Sequence, residues 1–203
     1  MAESLIYKNP FLYLLSMRVL YGRHYWSRCQ EVADLIPSRA TVLDVCCGPA
    51  QLYHDHLRFK EVRYKGLDIN RRFINQLVRQ GAEGQVWDLT KNDPLPPADY
   101  VVMQASLYQF LPDAAAIVDR MLQAAGEQVI VAEPVRNLSL SRIPIVPFVA
   151  RHLTNPGNGS QSHRFTEEML DKFFSAYQSQ IDRSFLIAGH REKIYVLNKR
   201  SCS

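Results

Sequence analysis

Residues 42–50 read Val-Leu-Asp-Val-Cys-Cys-Gly-Pro-Ala and carry the strongest indication of the fold in this chain. The aliphatic run around Asp44 predicts a buried strand, and the small residues after it predict a tight turn into a helix. Glycine at position 48 would let a ligand approach the backbone, which a larger side chain would block. A carboxylate followed by such a turn suits a ligand with a cationic amine and flat polar parts.

This stretch resembles the first motif of the class I S-adenosylmethionine (SAM) methyltransferases, in which an acid and three alternating glycines follow the first strand. Cys46 stands where the first glycine is usual, and Ala50 stands where the third is usual. The resemblance implies a SAM-dependent methyltransferase of the small-molecule type, with S-adenosylhomocysteine (SAH) as its product. It also implies that the backbone at Cys46, Gly48 and Ala50 lines the methionine part of SAM.

A nicotinamide or flavin dinucleotide site is the main alternative for such a turn. It requires the G-x-G-x-x-G pattern, so that a pyrophosphate can bind amides at the start of the helix. Cys46, Gly48 and Gln51 occupy those positions here, and Pro49 has no N–H to donate. Asp44 would also repel a pyrophosphate, whereas it suits the amino group of SAM. The pattern therefore favours SAM.

Strand and helix patterns alternate through the middle of the chain. Five strands are predicted at 41–45, 62–67, 85–88, 100–103 and 128–132, with helices at 51–59, 71–80 and 112–125. Strands separated by helices form right-handed βαβ units, so we expect a parallel sheet with helices on both faces.

The end of the chain has a different pattern. Thr166 is expected to cap a helix, and two strands follow at 183–188 and 193–198, joined by a turn at Gly189-His190. The resemblance implies one Rossmann-like α/β sheet of seven strands, five parallel and two in a C-terminal antiparallel hairpin. We expect a single domain that consists of a helical cap at 1–38, a SAM-binding core at 39–133, a substrate-side insertion at 134–165, and a C-terminal helix and hairpin at 166–200.

Composition and charge narrow the class of protein. Apolar residues make up 47% of the chain and charged residues 22%, as in ordinary globular proteins. The four cysteines show neither a CxxC pair nor zinc spacing, which favours reduced thiols in a cytoplasmic protein without a metal site. A net charge of +4, without a basic block, argues against a nucleic-acid partner. Composition leaves the oligomeric state open.

Three acids end the first three predicted strands: Asp44, Asp68 and Asp88. The carboxyl ends of parallel strands meet at one edge of the sheet, where ligands bind in open α/β folds. Asp68 lies about twenty residues after the glycine turn, a spacing at which an acid accepts hydrogen bonds from ribose hydroxyls. Each acid alone could equally be a helix cap or a turn residue.

The resemblance assigns further contacts to the rest of the cofactor. It implies that Asp88 binds the adenine amine and that Ile69 and Leu89 pack on the adenine ring. It also implies that the backbone near Gln104, at the end of the fourth strand, faces the sulfonium. The altered glycine pattern keeps a second hypothesis open, that of a SAM- or SAH-binding regulatory protein without catalytic activity.

Residues 134–165 contain four arginines and two histidines but no Asp or Glu, and they include the apolar, proline-broken run 143–150. Arginine beside apolar surface suits an anionic amphiphile or an anionic lipid surface, so we expect a small-molecule or lipid-like acceptor and consider peripheral membrane contact. Oxygen is the favoured acceptor atom. The alternative interpretation of residues 134–165 is a cap that packs on the N-terminal helix, with its arginines solvated. The candidate substrate contacts are Tyr21, Arg23, Tyr25, Tyr108, Arg136, Arg142 and His163.

Methyl transfer from a sulfonium depends mainly on positioning and desolvation, and an oxygen nucleophile can also need a base. His163 is the first candidate base because it precedes a helix in the expected substrate half. Tyr108 and Glu133 are the other candidates. Tyr108 could instead pack on the following helix, and Glu133 could instead bind loop amides.

Overall fold

The structure is a computed structural model that describes residues 22–135 and 165–199, without the side chains of Arg23 and Tyr25. Within these residues seven strands form one sheet in the order β3-β2-β1-β4-β5-β7-β6. The strands are β1 (Thr41–Val45), β2 (Arg63–Asp68), β3 (Glu83–Val86), β4 (Ala98–Gln104), β5 (Ala125–Pro134), β6 (Ile181–Ile187) and β7 (Glu192–Asn198).

Five α-helices accompany the sheet in the described part of the chain. They are α1 (Tyr25–Asp34), α2 (Gln51–Asp55), α3 (Arg71–Arg79), α4 (Ala114–Ala124) and α5 (Glu167–Phe174). Thr166 caps α5 as predicted, because its Oγ1 accepts a hydrogen bond from the Met169 amide at 3.2 Å. Asn70 caps α3 in the same way through the Arg72 amide.

The sheet has the predicted class and topology. Strands β1 to β5 pair in parallel, and β7 runs antiparallel between β5 and β6. The turn between β6 and β7 contains Gly189, whose φ is +65°. The imidazole of His24 lies 2.8 Å from the place where a Cβ on Gly189 would stand, so this close contact and the positive φ both favour glycine.

The two faces of the sheet carry separate apolar layers, as the two-residue period of a strand requires. On β1, Leu43 and Val45 face one layer and Val42 faces the other. Buried side chains from α4 and α5 cover the first layer, among them Ile117, Met121, Leu170 and Phe174. Buried side chains from α1, α2 and α3 cover the second, among them Val32, Ile36, Leu52 and Leu77.

A pair of reciprocal hydrogen bonds joins the amino ends of β1 and β4. The Thr41 amide donates to Asp99 Oδ2 at 2.7 Å, and the Asp99 amide donates to Thr41 Oγ1 at 2.7 Å. The hydrogen bonds with Thr41 hold the pKa of Asp99 below its usual value. We call this contact the Thr41–Asp99 clasp.

Most predicted boundaries differ from the structure by one to three residues, and three differences are larger or bear on the site. The helix expected over 51–59 ends at Asp55, because His56 leaves helical geometry with a φ of −134° and a short 3₁₀ helix follows. Helix α4 begins at Ala114, after Pro112. Strand β3 ends at Val86, where its partner β2 ends at Asp68, so position 88 lies in a loop.

Part of the expected organisation lies outside the described residues, namely most of the cap at 1–38 and most of the insertion at 134–165. The second cap helix, expected from Ser27 to Leu35, corresponds to α1. No helix in the described ranges is long and apolar enough to cross a membrane.

Candidate functional site

The turn after β1 has an unusual backbone. Cys46, Gly48 and Ala50 have φ angles of 58°, 54° and 53°, all in the left-handed region. A residue with a Cβ adopts this conformation at a cost of about 1 kcal/mol, which glycine avoids. All three positions where the resemblance expects glycine therefore keep the glycine-type conformation, although two of them carry side chains.

The three positions of this turn differ in their surroundings. Ala50 is fully buried and caps α2, because its carbonyl accepts the His54 amide at 3.0 Å. Cys46 is half-buried and packs against the apolar layer on the α4 side. At Gly48, an added Cβ would meet no atom within 4 Å. Gly48 is thus a position where the turn faces open space.

Asp68, at the end of β2, joins this turn directly. Its Oδ2 accepts the Gly48 amide at 2.8 Å, and its Oδ1 accepts the Asn70 amide at 2.7 Å. Burial raises the pKa of Asp68, and the two amides oppose that shift. Each carboxylate oxygen has a second acceptor site, so the side chain can still bind the two hydroxyls of a ribose.

Asp44 lies behind the turn in a buried position. Its Oδ2 accepts the Tyr64 hydroxyl at 2.8 Å, and the Tyr64 ring stacks on Tyr53 with 4.5 Å between ring centroids. Burial raises the pKa of Asp44 to about 7, and the nearby Asp68 adds to the shift. A cation that reached Asp44 would favour its ionised form. No pattern in the sequence predicts the contact between Asp44 and Tyr64.

Asp88 lies two residues beyond β3 rather than at its end. Its Oδ1 accepts the Thr90 amide at 3.0 Å and the Thr90 hydroxyl at 2.7 Å, and these bonds lower its pKa. The prediction that Asp88 ends the third strand is therefore wrong. Asp88 is instead a turn residue, the alternative given above for each of the three acids. Ile69 is 67% exposed at the end of β2, whereas Leu89 is 6% exposed and belongs to the apolar core.

The strand ends on the other side of β1 carry a second polar group. Glu133 is fully buried at the end of β5, and its Oε1 accepts the amides of Ser106 at 2.6 Å and Leu107 at 2.7 Å. Burial raises its pKa to about 7, against the effect of these amides, and Glu192 adds to the shift. Glu133 therefore binds loop amides. Tyr108 is 8% exposed and packs in the core beside α4.

A buried ion pair also reaches this side of the sheet. Arg28 Nε on α1 lies 2.9 Å from Glu192 Oε1 on β7, and both side chains are buried. The neighbouring Cys29 Sγ lies 3.9 Å from Oε1 of Gln104, at the end of β4. No pattern in the sequence predicts this pair, because its two members lie near opposite ends of the chain.

Several candidate substrate residues cannot be placed. Tyr21, Arg136, Arg142 and His163 lie outside the described residues, as do the side chains of Arg23 and Tyr25. The sequence-predicted positions that the structure does bring together are those at Asp44, Cys46, Gly48, Ala50 and Asp68, which form one continuous cluster.

Comparisons with known proteins identify a family and similar folds. The sequence model of the family described as "Methionine biosynthesis protein MetW" matches residues 27–145, more than half of the chain. A comparison with curated proteins gives no significant match. The fold is similar to solved structures of methyltransferases at low sequence identity.

Three of these structures illustrate the likeness. Magnesium protoporphyrin IX methyltransferase from Synechocystis PCC 6803 with bound SAH is 15% identical, with a TM-score of 0.65 over 91% of this chain and 86% of that one. A SAM-dependent methyltransferase from Aquifex aeolicus is 13% identical, with a TM-score of 0.59 over 85% and 89%. Human N-acetylserotonin methyltransferase with SAM is 15% identical, with a TM-score of 0.65 over 98% and 59%.

Proposed function

We propose that this chain, which belongs to the methionine biosynthesis protein MetW family, is a SAM-dependent methyltransferase acting on a small-molecule or lipid-like acceptor, with oxygen as the favoured atom. The observation that carries the proposal is the turn after β1. Its positions 46, 48 and 50 keep the left-handed backbone of a glycine loop, and the Gly48 amide is bound to Asp68.

The described residues suit the parts of SAM in turn. Gly48 offers an open approach to the backbone, and Asp68 retains acceptor sites for ribose hydroxyls. Asp44 lies beneath the same turn and can balance the charge of an amino group. When bound, SAM supplies a methyl group on a cationic sulfur that a nucleophile displaces in line. The protein's own contribution is to bind, orient and desolvate the reactants.

The sequence of 134–165 and the structural neighbours support the proposed class of acceptor. An acid-free, arginine-bearing segment with an apolar run suits an anionic amphiphile. Two of the structural neighbours are named for small-molecule acceptors, magnesium protoporphyrin IX and N-acetylserotonin, so this fold accommodates such molecules. Co-sedimentation with anionic vesicles at low salt tests whether a lipid surface is involved; absence of pelleting would contradict that part.

Calorimetric titration with SAM and SAH tests the cofactor site. Gly48 and Gly81 are matched positions, because both have positive φ and an added Cβ at either meets no atom within 4 Å. Gly48→Ala and Gly81→Ala should therefore each lower the unfolding free energy by about 1 kcal/mol. We expect only Gly48→Ala to weaken SAH binding, by about tenfold or more, because its Cβ would occupy the ligand approach.

The second candidate is a SAM- or SAH-binding regulatory protein without transfer activity, which the replacements at Cys46 and Ala50 favour. Methyl-labelled SAM separates the two functions when it is incubated with the protein and with small-molecule and lipid extracts. Label in an extracted product supports the methyltransferase, and SAM binding without any transfer supports the regulator. A folded wild-type sample that gives no heat with SAM or SAH contradicts both.

A further inference from the structure

Glu133 is a fully buried carboxyl at the end of β5. Burial of an ionisable group is unfavourable unless hydrogen bonds compensate for the lost hydration. Its Oε1 receives that compensation from the amides of Ser106 and Leu107, at 2.6 and 2.7 Å. The preceding residues of the strand, Val129 to Ala132, are all apolar and buried, so the two amide bonds distinguish Glu133 from its neighbours.

The segment that these bonds hold is the turn between β4 and the 3₁₀ helix Leu107–Phe110. Ala105 in this turn has a φ of 50°, which alanine adopts only where its surroundings impose it. Its amide donates to the Ala132 carbonyl at 2.8 Å, and the Ser106 hydroxyl donates to the Gln104 carbonyl at 3.0 Å. Strand β5 therefore binds three consecutive amides of the turn.

This turn lies against the turn that follows β1. Val45 and Met103 are register partners near the ends of β1 and β4, so both turns leave the same edge of the sheet. Burial raises the pKa of the Cys46 thiol; neighbouring carboxyls, Glu133 among them, add to this shift, and a hydrogen bond with the Ser106 side chain opposes it. Cys46 and Ser106 thus connect the two turns.

We propose that Glu133 is a positioning residue for methyl transfer: it holds the turn at 105–107 against the Cys46 turn, so that both backbones face the methionine part of SAM. The inference rests on the proposed function, since it requires SAM to occupy the turn after β1. In this role the side chain acts because it is long enough to place an oxygen within hydrogen-bonding distance of the two amides. Its negative charge is not required.

Calorimetric titration of SAH into the full chain separates reach from charge. Glu133→Gln keeps an oxygen at the same reach without the charge, whereas Glu133→Asp keeps the charge on a side chain one methylene shorter. We expect Glu133→Gln to bind SAH within about threefold of the wild type, and Glu133→Asp to bind about tenfold more weakly. Glu127→Gln, at the exposed amino end of the same strand, is the matched control and should bind like the wild type.

Two affinity results would overturn the inference. One is an unchanged SAH affinity in Glu133→Asp. The other is a weaker affinity in Glu133→Gln than in Glu133→Asp, which would assign the effect to charge. A near-normal SAH affinity in Glu133→Gln, together with a weakened affinity in Glu133→Asp, supports the positioning role.

Hydrogen exchange of the Ser106 and Leu107 amides gives a second, ligand-free readout. We expect slow exchange in the wild type and in Glu133→Gln and faster exchange in Glu133→Asp. Rapid exchange of both amides in the folded wild type would overturn the inference, even where the shorter variant does not fold. A wild type that binds neither SAM nor SAH would contradict the proposed function, and the exchange readout would still decide whether Glu133 holds the turn.

Discussion

The part of the sheet edge at β1 and β2, where we propose that SAM binds and which we call the cofactor side, differs from the part at β5 and β7 in how its acids are held. On the cofactor side, Asp44 binds the Tyr64 hydroxyl and Asp68 binds the Gly48 amide. Donor and acceptor come from adjacent strands and the turn between them. A short stretch of chain therefore builds this side almost by itself.

At β5 and β7, Glu192 depends on a helix that is distant in the sequence, whereas Glu133 depends on the loop after the adjacent strand. Glu192 on β7 pairs with Arg28 on α1, and Glu133 on β5 binds amides beyond β4. Both glutamates are fully buried. The difference teaches that the cofactor side can be recognised from a short stretch of sequence, whereas the pair of Glu192 and Arg28 forms only once β7 and α1 have come together.

Arg28→Met should give the largest effect, because it leaves Glu192 buried without its cation. We expect the unfolding free energy in urea to fall by about 3–5 kcal/mol. Arg39→Met is the matched control, since the Arg39–Glu61 pair is exposed and should change stability by less than about 1 kcal/mol. The double variant Arg28→Met/Glu192→Leu should recover much of the loss. Equal losses from Arg28→Met and Arg39→Met would remove the contrast between buried and exposed charge.

The proton on Asp44 should make stability depend on pH. Its pKa is raised from 3.8 to about 7 in the folded chain, so the folded state binds this proton more tightly than the unfolded state. The stabilisation is fully present below about pH 4 and is lost as pH rises through 7, with a total on the order of 3–4 kcal/mol. Asp44→Asn keeps an acceptor for Tyr64 and should flatten this slope. Parallel stability curves for the two proteins would contradict the assignment.

Asp68→Ala should damage the cofactor side by removing the acceptor for the Gly48 and Asn70 amides. We expect a loss of about 2 kcal/mol in unfolding free energy and about 100-fold in SAH affinity, measured by denaturation and calorimetry. Asp34→Ala, on the exposed face of α1, controls for the loss of a surface acid. An Asp68→Ala variant that binds SAH normally would show that the turn keeps its shape without the hydrogen bond from Gly48 to Asp68.

Cys46→Gly should have the smallest effect of the series. Glycine relieves the left-handed strain at position 46, but it loses the packing of the thiol and gains freedom in the unfolded chain. We expect stability within about 1 kcal/mol and SAH affinity within about threefold of the wild type. A large gain in SAH affinity would show instead that the natural turn is impaired.

The sequence predicted the strands better than the helices between them. All seven strands were predicted, and β1 begins and ends at the predicted residues. The helix at 51–59 is interrupted at His56, although its residues favour continuation. Strand β3 ends where β2 stops pairing, which is a property of the partner strand. Boundaries set by a distant partner leave no local pattern.

The candidate site divides in the same way. The motif located Asp44 and Gly48, and the spacing after the glycine turn located Asp68; the structure brings these residues together. It also marked Cys46 as a departure, yet the backbone there keeps the left-handed form that glycine would have supplied. The Arg28 contact could not be predicted, since nothing near this arginine in the chain indicates a glutamate on the last strand.

The Thr41–Asp99 clasp has a consequence at the opposite end of its strands. Side chains alternate between the faces of a strand, so a slip of β1 by one residue would turn the Asp44 carboxyl into the other apolar layer. The clasp opposes such a slip by fixing β1 against β4 where they begin. The contact at the amino ends thereby fixes the register of β1, and with it the direction in which Asp44 points at the carboxyl end, one strand length away.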